Sequence, residues 1–324
     1  MGQRLLVLNT ALTIILLLIV IFVIFYFTYT LQKAKRYISS FSKSFLPKLS
    51  KVQYKSITFP EKSPNFLSTI IKAPLAVSNI FESSIHSSFV QYSLTFFTAC
   101  CMSSYNLTAG VDGLLPNYMR LYGRVGPCGY LFQCGKHAIL CFRGSINGRD
   151  IFTDIDSVQV SFSDLSGQSH EQYRVHRGFH SIWMNTISDV EHILDTIKAK
   201  NIILVGHSLG GAIAHLAGLG IFLYTGIKPL VVTFGSPKIG SDSLVKVSNS
   251  MNIANVNDFI PCLPPSVFTI DGERCLYAAY PNTKYIDVQT GSTFKNHSLI
   301  TYSYGVNQKF ISDKQTEIMW CKPF

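Results

Sequence analysis

The stretch Asn201-Ile202-Ile203-Leu204-Val205-Gly206-His207-Ser208-Leu209-Gly210-Gly211 decides how this chain is read. Asn201–Gly206 is short, apolar and β-branched, the pattern of a strand buried on both faces. Leu209 to Tyr224 is rich in Ala and Gly and predicts a helix. Gly206-His207-Ser208-Leu209-Gly210 lies across the junction. Gly-x-Ser-x-Gly alone is a weak signal, since a Gly-rich turn without chemistry shares it. The strand–turn–helix setting strengthens it, because such a turn holds a serine exposed at its apex. Glycines at 206 and 210 let strand and helix pass closely without Cβ clashes. Ser208 then sits at the carboxyl end of the strand and beside the helix amino terminus, where N–H groups favour developing negative charge. Ser208 is the candidate nucleophile.

An elbow serine needs a base and an orienting acid, which follow it in the order acid, then His. Only His215 and His297 come after Ser208. His215 falls inside the elbow helix and points wrongly for an in-line base, which leaves His297. Asp258 follows the apolar run Asn252–Val256 and precedes Ile260-Pro261, a strand-to-loop exit. Asp242, Asp271 and Asp287 are rivals for the acid. In the favoured assignment His297 takes the Ser208 proton and returns it to the leaving alcohol, while Asp258 fixes the His297 tautomer. An oxyanion would need two donors. The N–H of Leu209 is one candidate. Ser145 is the other, in Phe142-Arg143-Gly144-Ser145 after the apolar run Ala138–Cys141.

Outward from this centre, apolar strands alternate with helical patterns. Ser83–Ser104 and His180–Lys200 read as helices, Gly129–Gln133 with Ala138–Phe142 as a hairpin, and Leu230–Phe234 and Asn252–Val256 as strands. The pattern predicts an α/β fold with a mainly parallel sheet flanked by helices. Three regions are expected: an anchor at 1–31, a Ser/Lys-rich linker at 32–72 and an α/β domain at 73–324. The segment from Leu5 to Gln32 holds no charged residue, exceeds the ~20 residues of a membrane-crossing helix, and is followed by Lys33, Lys35 and Arg36. It predicts a single-pass transmembrane helix.

The formal net charge is +10, but residues 32–72 hold nine Lys or Arg against one acid. The basic character therefore belongs beside the anchor, where it suits anionic lipid headgroups; a nucleic-acid face on the main domain is not indicated. Orientation stays open. The basic flank argues for a cytoplasmic domain, whereas eight cysteines and the sequon Asn106-Leu107-Thr108 argue for the opposite side. Cys262 and Cys275 are the more plausible disulfide pair. The sequon at Asn296 is discounted because it overlaps His297.

The ordered pieces FRGS (142–145), HRGF (176–179), GHSLGG (206–211), TFGSPKIG (233–240), NDFIPCLPP (257–265) and NHSL (296–299) form a specific set. In them the chain resembles the class 3 lipases, a family that includes secreted lipases of filamentous fungi, over about residues 90–305. The resemblance implies the α/β-hydrolase fold and a serine ester hydrolase acting on lipid esters, with no cofactor or metal. It sets Ser208, Asp258 and His297 at the triad positions and Ser145 and Leu209 at the oxyanion positions. It also implies a mobile lid over about Ile146–Ser157. The anchor and basic linker depart from the secreted members, and the Tyr-rich span Ile270–Asn296 has no clear counterpart. Alternatives are an acyltransferase or thioesterase on the same scaffold, or a catalytically inactive membrane-bound interaction protein.

Overall fold

The computed structural model describes residues 88–105, 118–123, 126–134, 137–145, 157–197, 201–270 and 272–307. The expected anchor, the linker, Asn106, Asp271 and residues 146–156 of the expected lid lie outside these. Among the described residues no helix is long and apolar enough to cross a membrane.

The first helix, α1 (Ser88–Tyr105), leads into an antiparallel meander of β1 (Tyr118–Gly123), β2 (Gly126–Cys134) and β3 (His137–Phe142). Beyond β3 the sheet turns parallel through β6 (Asn201–His207), β7 (Leu230–Phe234), β8 (Ser250–Asn255) and β11 (Thr283–Ile286). Seven strands result, in the order β1-β2-β3-β6-β7-β8-β11, with β6 at the centre. Two hairpins stand apart from this sheet: β4 (Gln159–Ser163) with β5 (Ser169–His176), and β9 (Val267–Ile270) with β10 (Glu273–Leu276).

Successive residues of a strand point to opposite faces, and both faces here are apolar. Ile202 and Leu204 of β6 join Ala138, Leu140 and Phe142 of β3 in one core. Ile203 and Val205 join Ile139 and Cys141 in the other. The first core is closed by α2 (Arg177–Met184), α3 (Ile187–Thr196), α4 (Leu209–Thr225) and α5 (Asp242–Val247), with Trp183 fully buried. The second is closed by α1 and α7 (Leu299–Asn307), through Leu94, Phe97, Tyr302 and Val306. Burial of each such aliphatic or aromatic side chain contributes about 1.5–3 kcal/mol. The result is a sheet sandwiched between helices.

Two sequence expectations are corrected, and one open span is filled in. The helix expected over His180–Lys200 is two helices broken at Asn185-Thr186. Both the Thr186 hydroxyl and its N–H donate to the Trp183 carbonyl, closing the first helix at that point. The Tyr-rich span Ile270–Asn296, for which the resemblance offered no clear counterpart, carries regular structure. It supplies β10, the parallel strand β11 and the short helix α6 (Thr293–Asn296). The expected Cys262–Cys275 bridge is not made, because Cys275 is a free thiol while Cys262 is disulfide-bonded. The hairpin sets Cys275 opposite Phe268 in the strand pairing, and the Cys262 turn precedes that hairpin.

Candidate active site

The site is assembled at the carboxyl ends of the parallel strands. β6 ends at His207, and α4 begins at Leu209. Ser208 alone makes the turn, with φ 58° and ψ −129°. A non-glycine residue reaches that region only when its surroundings impose it. They do so here. The Ser208 N–H donates to the Phe234 carbonyl at 2.9 Å. A Cβ at Gly206 would lie 2.1 Å from the Gly210 oxygen, and one at Gly210 would lie 2.2 Å from the Phe142 oxygen. Strand, helix and the end of β3 thus touch backbone to backbone, and only glycine permits it.

His297 caps the carboxyl end of α6. Its Nε2 lies 2.9 Å from Ser208 Oγ, and its Nδ1 lies 2.6 Å from Asp258 Oδ2. Asp258 follows β8 and has no exposed side-chain surface. Its carboxylate accepts from the Ile260 N–H at 2.9 Å and from the Tyr302 hydroxyl at 2.7 Å, besides His297. The Tyr302 hydroxyl is itself fixed by the Asn255 N–H. A serine hydroxyl bonded to an imidazole, with the other imidazole nitrogen held by a buried carboxylate, is an arrangement from which the serine proton can be withdrawn. Burial and the neighbouring Asp258 charge push the Tyr302 phenol well above its ordinary range, so it remains a donor.

The rival acids among the described residues lie elsewhere. Asp242 is exposed in an i,i+4 pair with Lys246. Asp287 takes a bond from the Asn257 amide at the surface. His215 is buried in α4, stacked on Tyr280 and bonded to Asn252 Oδ1 at 2.8 Å. It belongs to a core network with Thr233. Leu209 is the first residue of α4, so its N–H has no intrahelical acceptor. Ser145 follows the end of β3, half-buried, and the Gly210–Phe142 contact draws that end of β3 against the start of α4.

The sequence reading missed Tyr302 and the structural duty of Asn296. Asn296 is 2% exposed and bonds Asn257, Gln289 and Thr290, which ties the residue before the acid to the loop that follows β11. A glycan has no room there. The asparagine directly before His297 was the available signal. Among the described residues no cluster of His, Cys, Asp and Glu could hold a metal ion.

Sheet, elbow and the Ser208–His297–Asp258 geometry together define an α/β-hydrolase. Residues 139–268 match the sequence model of Lipase (class 3). The chain is 30% identical over 169 residues to the lipase-named protein LIH1 of Saccharomyces cerevisiae, covering 40% of this chain and 51% of that one. It is 28% identical over 142 residues to a secreted mono- and diacylglycerol lipase of Fusarium solani, covering 41% of each. The chain thus spans about half or less of the length of these relatives. In fold it resembles the Lip2 lipase of Yarrowia lipolytica, with a TM-score of 0.51, 20% identity, and 64% and 82% of the two chains covered. Rhizomucor miehei triacylglyceride lipase gives the same TM-score of 0.51, at 22% identity, over 62% and 82%.

Proposed function

We propose that the chain is a membrane-anchored carboxylic ester hydrolase that cleaves acyl esters of acylglycerols or phospholipids through an acyl-enzyme. The 2.9 Å contact between Ser208 Oγ and His297 Nε2 carries the proposal. His297 takes the hydroxyl proton as Ser208 attacks the ester carbonyl. The N–H groups of Leu209 and Ser145 stabilise the tetrahedral oxyanion. The intermediate collapses as His297 protonates the departing alcohol, leaving an acyl ester on Ser208. Water, deprotonated by His297, then releases the fatty acid and restores the serine. Asp258 holds the imidazole tautomer and offsets its charge throughout. The match of residues 139–268 to the Lipase (class 3) model and the mono- and diacylglycerol lipase name of one relative support lipid esters as substrate. The uncharged run from Leu5 to Gln32 supports the anchor, which would keep the site close to its substrate and raise effective concentration.

The test is Ser208→Ala, assayed on p-nitrophenyl butyrate and on dioleoylglycerol. Turnover should fall to background, and a fluorophosphonate probe should label the parent and spare the variant. Equal turnover in both proteins would remove Ser208 from the chemistry. Product analysis with an added acceptor alcohol separates hydrolysis from acyl transfer.

A further inference from the structure

We propose that Tyr105 and His207 are positioning residues, joined in one hydrogen-bonded chain that ties the Ser145 loop to the backbone of the base. The inference rests on the roles given above to Ser208, His297 and Asp258. His207 precedes the nucleophile, is 6% exposed and has no part in the proton transfers. Its Nε2 lies 2.9 Å from the carbonyl oxygen of His297. A carbonyl only accepts, so Nε2 carries the hydrogen and Nδ1 keeps a lone pair. The Tyr105 hydroxyl, 2.8 Å from Nδ1, is then the donor. The same hydroxyl accepts the backbone N–H of Gly144. The order is fixed: Gly144 N–H to Tyr105 hydroxyl, Tyr105 hydroxyl to His207 Nδ1, and His207 Nε2–H to the His297 carbonyl.

Each end of this chain adjoins a group the reaction needs. Gly144 precedes Ser145, His207 precedes Ser208, and the last acceptor is the backbone of His297 itself. The fit at Gly144 is tight, since a Cβ there would lie 2.1 Å from the Tyr105 hydroxyl oxygen and 2.7 Å from the His207 carbonyl. The loop is therefore seated directly on the tyrosine and the elbow. The bond fixes the residue directly before Ser145, the proposed second oxyanion donor. The His207 ring also stacks on the His297 ring, with centroids 4.8 Å apart and planes 30° from parallel. A second positive charge at that distance would oppose the imidazolium formed during attack. Burial, reinforced by repulsion from His297, holds the His207 value down to about 3, so the stacked ring stays neutral.

The decisive variant is Tyr105→Phe in the full chain, which removes one oxygen and keeps the ring. Hydrolysis of p-nitrophenyl butyrate is measured per site titrated with fluorophosphonate, so that loss of folded protein does not count. The expected result is a fall in kcat of about 10- to 100-fold with KM within twofold. His207→Phe should lose a similar amount. The double variant should lose no more than the worse single one, because the two act as a unit. A kcat per titrated site within twofold of the parent in Tyr105→Phe, or full additivity, overturns the proposal. Nitrogen-15 NMR of histidine-labelled parent protein reads the chain without any turnover. His207 should be neutral with its hydrogen on Nε2, and a hydrogen on Nδ1 overturns the proposal. A parent with no Ser208-dependent turnover removes the functional reading and the positioning role together. An active parent indifferent to Tyr105→Phe removes only the positioning role.

Discussion

At the scale of single residues, the identity of the acid is the point on which sequence and geometry depend most on each other. Asp258 accepts from His297, Tyr302 and the Ile260 N–H, all with a fully buried carboxylate. Asparagine at 258 would nearly preserve the shape but lose the charge and offer the imidazole the wrong partner. Asp258→Asn should lower kcat by about 10⁴-fold, measured on p-nitrophenyl butyrate, with labelling of Ser208 much slowed. A loss below tenfold would show that another group orients His297. The serine was legible from its turn and the base from elimination, because His215 is committed to the helix that follows the elbow. The acid was favoured at Asp258 by its place between an apolar run and Ile260-Pro261, but Asp242, Asp271 and Asp287 stayed as rivals because each could be an ordinary loop aspartate. What separates it is a partner 39 positions away, together with Tyr302 on a helix whose letters give no hint of a catalytic neighbour.

At the scale of elements, β6 and α4 each carry a buried imidazole that folding forbids to ionise. Burial pushes His207 down to about 3 and His215 down to about 4, against an ordinary value of 6.5. A depressed value means that the unfolded chain binds the extra proton first. The stability involved is complete above pH 6.5 and is lost as pH falls toward the folded values. Each group adds a slope of about 1.4 kcal/mol per pH unit within that window. Urea unfolding at pH 6.5, 5.5 and 4.5 should therefore show steadily lower stability. His215→Gln should reduce the slope by about one proton, and an unchanged slope would place the acid sensitivity elsewhere. The same elements show why part of the fold was readable. β6 is apolar on both faces and glycine-bounded, so it stands out as a central strand. β11, Thr283-Lys284-Tyr285-Ile286, lies at the sheet edge with one buried residue and has no apolar run to mark it as a strand. Its place is set by parallel pairing with β8, which no local pattern announces. The break at Asn185-Thr186 was hidden for a similar reason, because apolar spacing continues across it while a side-chain hydroxyl ends the helix.

At the scale of the whole molecule, charge and hydropathy are segregated along the chain. Nine of its 28 Lys and Arg fall within residues 32–72, directly after the uncharged run. An integral anchor there should keep the full-length protein in the membrane pellet after alkaline carbonate extraction, whereas a peripheral basic segment would release it. Release into the supernatant would count against the anchor. A glycan at Asn106 in the same preparation would place the hydrolase domain on the luminal or outer side. The backbone at Ser208 bears on the entire fold in another way. Holding a non-glycine residue at φ 58° costs about 1–3 kcal/mol, a cost borne by the native state alone. Ser208→Gly should therefore melt several degrees higher than the parent, as each kcal/mol moves the midpoint by about 2–4 °C in domains of this size. The most durable version of this scaffold would then be one that has given up hydrolysis, and continued selection for turnover is what keeps its tautest joint from slackening.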